Sequence, residues 1–111
     1  MINLDTCLAR MSANADAIAS LSRSVTEAQA RWKPSPDEWS ILEVLCHLCD
    51  EEREDFRTRV KLTLQNPAEP WPPIDPVGWV TARGYNRREP GASLEAFLRE
   101  RRESLKWLGC D

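Results

Sequence analysis

From Trp39 to Asn66 the chain carries neither glycine nor proline, and the run is fenced by Pro34 and Pro36 on one side and by Pro67 on the other. Proline removes a backbone donor and pushes its predecessor out of the helical region, so the fences mark the ends of one element. Ser40 followed three residues later by Glu43 is a capping box, a helix start in which side chain and backbone satisfy each other. The spacing predicts a helix over 41–65, about 37 Å long at 1.5 Å per residue. Ile41, Val44, Leu45, Leu48, Glu52, Phe56 and Arg59 recur at steps of three and four and are expected to face inward, with Leu42, Cys49 and Val60 on one flank.

Two further long helices flank this rod. Leu4, Leu8, Met11, Ala15, Ile18 and Leu21 trace one stripe of an amphipathic helix over 3–23, and alanines fill the rest at no cost in side-chain entropy. Leu94, Phe97, Leu98, Leu105 and Leu108 trace another, expected to be capped by Ser93, interrupted by Arg101 and ended at Gly109. Ser24 with Glu27 three residues on reads as a serine cap and predicts a short turn of helix reaching about Trp32. The segment 66–76 holds five of the eight prolines and reads as a stiff extended connector. Asp75 followed by Pro76 predicts a short helix through Trp79 and Val80, and 84–91 reads as loop. No strand pattern or repeat appears. The fold class expected is all-α, an antiparallel helical bundle formed by a single domain over 1–111.

Composition narrows the function classes. Of 111 residues, 30% are charged and only four are glycine, which suits helices better than a sandwich or barrel. The net charge is −3, and Arg99-Glu100-Arg101-Arg102 is broken by acid, so no nucleic-acid partner is expected. No window approaches the roughly 20 apolar residues of a membrane span. The N-terminus lacks the basic start and apolar run of a signal peptide. A cytoplasmic, reducing setting is expected, with Cys7, Cys46, Cys49 and Cys110 as thiols.

Several side chains invite chemistry. His47 is the single histidine. At about 100° per residue, Glu43, His47 and Glu51 line one edge of the central helix, so His47 is a candidate metal ligand with orienting carboxylates beside it. Spacing alone favours the plainer reading of a half-buried histidine capped by a glutamate, because zinc and nickel sites take about three or four protein ligands. Cys46 and Cys49 form a Cys-x-x-Cys unit well inside the helix, away from the N-terminal amides that activate redox thiols, and are read as packing. Glu52 and Arg101 are charges at the centre of apolar stripes. A lone buried charge is heavily disfavoured, so the two are expected to pair, with Arg59 as the competitor for Glu52. Trp32, Trp39, Trp71 and Trp79 are expected to cover bundle ends or to border a pocket.

The run Trp32-x-Pro34, Trp39-Ser40-Ile41-x-Glu43-Val44 and His47-Leu48-x-Asp50-x-Glu52 resembles the second-helix signature of the DinB/YfiT-like superfamily. The resemblance implies a four-helix bundle. It implies a divalent metal, often zinc or nickel, held by one histidine of the second helix and by a His-x-x-x-His pair of the fourth. It implies activities such as metal-dependent conjugation or isomerisation with low-molecular-weight thiols (bacillithiol, mycothiol) or hydrolysis, although many members have no assigned activity. By the match His47 corresponds to the first metal ligand and Glu52 is structural. No His-x-x-x-His occurs here. The layout expected is therefore the four-helix one truncated to three long helices plus short helical turns, with one of three histidine ligands.

An apolar trough between helices is then left uncovered, and monomers rarely expose such a patch. A homodimer through that trough is expected, symmetric pairing being the commonest solution. Two functions follow. One is a DinB-like domain with a partial site for a divalent metal. The other is a non-enzymatic helical module for self-association or for a small-molecule ligand.

Overall fold

The computed structural model describes residues 3–109. Six α-helices occur among them: α1 (Leu4–Arg23), α2 (Glu27–Arg31), α3 (Ile41–Asp50), α4 (Thr58–Gln65), α5 (Pro76–Ala82) and α6 (Pro90–Gly109). A π-helical segment, Glu51–Arg57, joins α3 to α4, and a 3₁₀ turn, Tyr85–Arg87, precedes α6. The described residues contain no strand, and the all-α expectation holds. No described helix is long and apolar enough to cross a membrane.

Local chemistry sets the helix starts. Asn3 caps α1 by accepting from the Thr6 amide at 2.8 Å. Thr26 with Gln29 and Ser40 with Glu43 form complete capping boxes. Asp75 accepts from the Gly78 amide at the start of α5. The last helix begins earlier than the sequence suggested. Glu89 accepts from the amides of Gly91 and Ala92, Pro90 takes the first helical position, and Ser93 lies inside the first turn with its hydroxyl on Glu89 O. The span 84–91, expected to be loop, thus holds the 3₁₀ turn and the start of α6. Gly84 makes the sharp reversal before that turn at φ 60°, in the left-handed region that favours glycine.

The long helices pack around α6. Both α1 and α3 lie along it, and they scarcely touch each other. Ala15 and Ala19 of α1, Leu45 and Cys49 of α3, and Leu94, Phe97 and Leu98 of α6 form this core, with Ile18 and Leu48 at its edge. A second cluster lies on the other flank of α3, where Leu42 and Cys46 meet Ala30, Val80 and Tyr85. That cluster explains a correction. Ile41 and Val44, expected inward, remain 43% and 40% exposed, whereas Leu42 and Cys46 are almost fully buried. The short helices that follow the connectors cover the Leu42 flank, so the buried face of α3 is turned toward them. Leu4 and Leu21, at the ends of the α1 stripe, are also exposed.

The π segment moves the inward face a second time. Its wider turn holds one more residue than an α-turn, and the Thr58 hydroxyl donates to Arg53 O, five residues back. Phe56, expected inward, is 38% exposed. Arg57 stands against α6 instead, donating to Glu100 O at 2.9 Å and to Ser104 Oγ at 3.3 Å, and pairing with the Glu100 carboxylate at 2.6 Å.

Candidate functional site

Ser40 fixes where α3 starts and therefore where His47 stands. Its Oγ accepts from the Glu43 amide at 3.0 Å and donates to Asn86 Oδ1 at 2.6 Å, tying the helix start to the 3₁₀ turn. Asn86 in turn donates to Arg31 O. Two turns along, the His47 ring meets Trp39 edge to face, with centroids 5.0 Å apart at 66°. Nδ1 of His47 is buried and has no hydrogen-bond partner. Burial lowers the His47 pKa from 6.5, against a smaller opposing influence of Asp50, so the ring is neutral near pH 7 and keeps one lone pair.

The neighbours expected to orient His47 do other work. Glu43 is 3% exposed. Its carboxylate accepts from the Ser40 amide at 2.9 Å and pairs with Lys33 Nζ at 3.0 Å. Glu51 faces Asp55; burial, and then the contact and charge of Asp55, push its pKa up to about 7. Arg59 pairs with Asp55 at 3.0 Å and lies over the Trp71 ring, so it does not compete for Glu52. Of the four tryptophans expected at bundle ends or a pocket border, Trp39 and Trp79 pack on the second cluster, while Trp32 and Trp71 are more than half exposed.

The Glu52–Arg101 pair forms as expected. Arg101 Nε and Nη2 both lie 2.9 Å from Glu52 Oε1, and Nη1 donates to Met11 O at 2.9 Å, so one guanidinium joins all three long helices. Glu52 Oε2 is buried without a partner. A larger network escaped the sequence reading. Asp50 is 2% exposed. It accepts from Tyr85 OH and Arg53, and Arg83 bridges it to Glu54. Hydrogen bonding to Arg83 holds Glu54 below the usual carboxylate range. Burial, and then the bond to Asp50, push the Tyr85 hydroxyl above its usual range. The only advance signal was Asp50 itself, an acid one turn beyond the buried Cys46, where a lone charge needs partners.

Among the described residues, no three His, Cys, Asp or Glu side chains converge on a point where a metal could sit. The orphaned Nδ1 marks His47 as able to donate one lone pair, and one imidazole does not hold a resident ion. The residues present thus do not by themselves fit the divalent metal that the resemblance implies.

On the edge of α3 beside Leu48, Ile41 and Val44 remain partly exposed. On α1, Met11 and Ile18 are half-buried, and Ile18 packs against the core shared with α6. A pocket of about 370 Å³ is bordered by Val25, Ala30, Ile41, Leu45 and Leu94.

The sequence pattern described as the DinB superfamily matches residues 10–109. No curated protein and no solved structure matches the chain.

Proposed function

The chain belongs to the DinB superfamily, and from that premise we propose a helical module that seats a second copy of itself in the gap between α1 and α3, with His47 as its metal-directed residue. The observation that carries the proposal is the packing of both helices on α6 and scarcely on each other, which leaves Ile41 and Val44 bare. An apolar edge on each copy is self-complementary and needs no opposite charge, which suits a twofold contact. A cytoplasmic setting agrees with three free thiols among the described cysteines.

The superfamily resemblance points to zinc or nickel and to chemistry on low-molecular-weight thiols or to hydrolysis. A single imidazole does not complete such a metal site. The set that this chain offers in a pair is two His47 rings with the two Glu51 carboxylates. Measuring zinc and nickel in the purified, metal-loaded protein tests this reading. One ion per two chains is expected, and His47→Ala removes it. No bound ion, or an ion that survives the substitution, overturns the metal assignment.

The lack of three convergent ligands among the described residues favours a second reading, a non-enzymatic module for self-association or for a small apolar ligand. A metal-free dimer whose mass is unchanged by His47→Ala supports that one.

A further inference from the structure

The Cys46-x-x-Cys49 unit, read from sequence as packing, borders a cavity. Both thiols line a pocket of about 200 Å³ between α3 and α6, opposite the small side chains Ala92, Ser93 and Ala96. Exposed Arg88 and Glu89 border its open side. Cys46 Sγ lies 3.6 Å from Ser93 Oγ and 3.9 Å from Tyr85 O. Both cysteines are free. We propose that Cys46 and Cys49 together bind one soft monovalent cation of the copper(I) class.

Ligand type and number select that class. Thiolates prefer soft ions such as copper(I). Zinc wants four ligands, and no third His, Cys, Asp or Glu joins these two among the described residues. The acid that borders the pocket, Glu89, is engaged by the amides of Gly91 and Ala92. Spacing separates the proposal from a disulfide. Side chains three apart on a helix have Cβ atoms about 5–6 Å apart, whereas a disulfide needs roughly 3.5–4.5 Å and would have to bend α3. Two metal–sulfur bonds near 2.3 Å span up to about 4.6 Å between the sulfurs, which the helical spacing allows.

Binding forms two metal–sulfur bonds and releases both S–H protons to solvent. No electron moves, so the ion must arrive as copper(I). The bound unit carries one negative charge, which burial and Asp50 disfavour at both sulfurs and Glu100 disfavours at Cys49, while Arg88 at Cys46 and Arg53 at Cys49 favour it.

The test is anaerobic titration of the full chain carrying Cys7→Ser and Cys110→Ser with copper(I), in competition with a chromophoric copper(I) chelator. One ion per chain is expected, with a raised unfolding temperature. Cys46→Ser or Cys49→Ser, each checked for retained helicity, should abolish both effects. Ala92→Leu, which fills the pocket and leaves both thiols in place, should also block uptake. No uptake by the Cys7→Ser, Cys110→Ser chain, or uptake that survives Cys46→Ser, overturns the proposal.

Discussion

Glu52 and Arg101 meet where two apolar stripes cross, and the pair is a liability unless both partners stay. Glu52 is 4% exposed, with Oε2 already unpartnered. Arg101→Met would strand the carboxylate and is expected to cost about 3 kcal/mol in urea unfolding, near the low end for a broken buried pair. Adding Glu52→Leu should recover most of that loss; an equal loss in the double variant would mean that the guanidinium matters through Met11 O instead. Glu51 predicts a pH effect. Its folded value, about 7, lies above the ordinary 4.5. Between those values the native state keeps a proton that the unfolded chain has released, so this group makes stability fall as pH rises through the window. Glu51→Gln should therefore raise the melting temperature at pH 8 relative to wild type and change little near pH 4.5, and the opposite ordering would contradict the assignment. His47 runs the other way. Its lowered pKa predicts an NMR titration midpoint below 6.5 and a loss of stability as the pH falls through that range. These side chains differ in how readable they were. The Glu52–Arg101 pair was legible because a charge inside an apolar stripe must find a partner. Asp50 was not, because its partners Tyr85 and Arg83 come from a turn with no periodic pattern.

Helix starts are local chemistry, and most were readable as such. Ser40 and Asp75 cap as their spacing requires, because serine, threonine and aspartate satisfy the same free amides in any context, whereas the cap expected at Ser24 with Glu27 falls on Thr26 with Gln29. Ser93 misled because Pro90 at the first helical position and Glu89 before it offer an earlier start, and the Glu89 carboxylate reaches two amides at once. The two faces of α3–α4 were harder to read. A period of 3.6 residues cannot foresee a π turn at Glu51–Arg57, and that turn moves Phe56 out and Arg57 in. Nor does periodicity reveal that α2, α5 and Tyr85 cover the Leu42 flank. The caps carry different weight. Ser40 is 1% exposed and bonds Asn86 besides capping α3, whereas Thr26 is exposed. Ser40→Ala should cost about 2 kcal/mol and Thr26→Ala under about 1 kcal/mol by denaturant unfolding. Equal losses would mean that the Ser40–Asn86 bond adds nothing.

At the scale of the whole molecule, α6 is the spine and the gap between α1 and α3 is the open side. The all-α class was legible, since apolar residues recur at steps of three and four in three long segments and no alternating pattern occurs. The position of His47 relative to that gap was not, because it depends on how far α3 is rotated by the second cluster. The proposed role stands on this geometry: a second copy closes the gap and brings a second imidazole. Sedimentation analysis of the wild-type chain at tens of micromolar, beside a Val44→Asp variant, tests it most directly. The expected result is the mass of two chains for the wild type and of one, still helical, for the variant. A wild-type mass of one chain, or a Val44→Asp mass still of two, would contradict it.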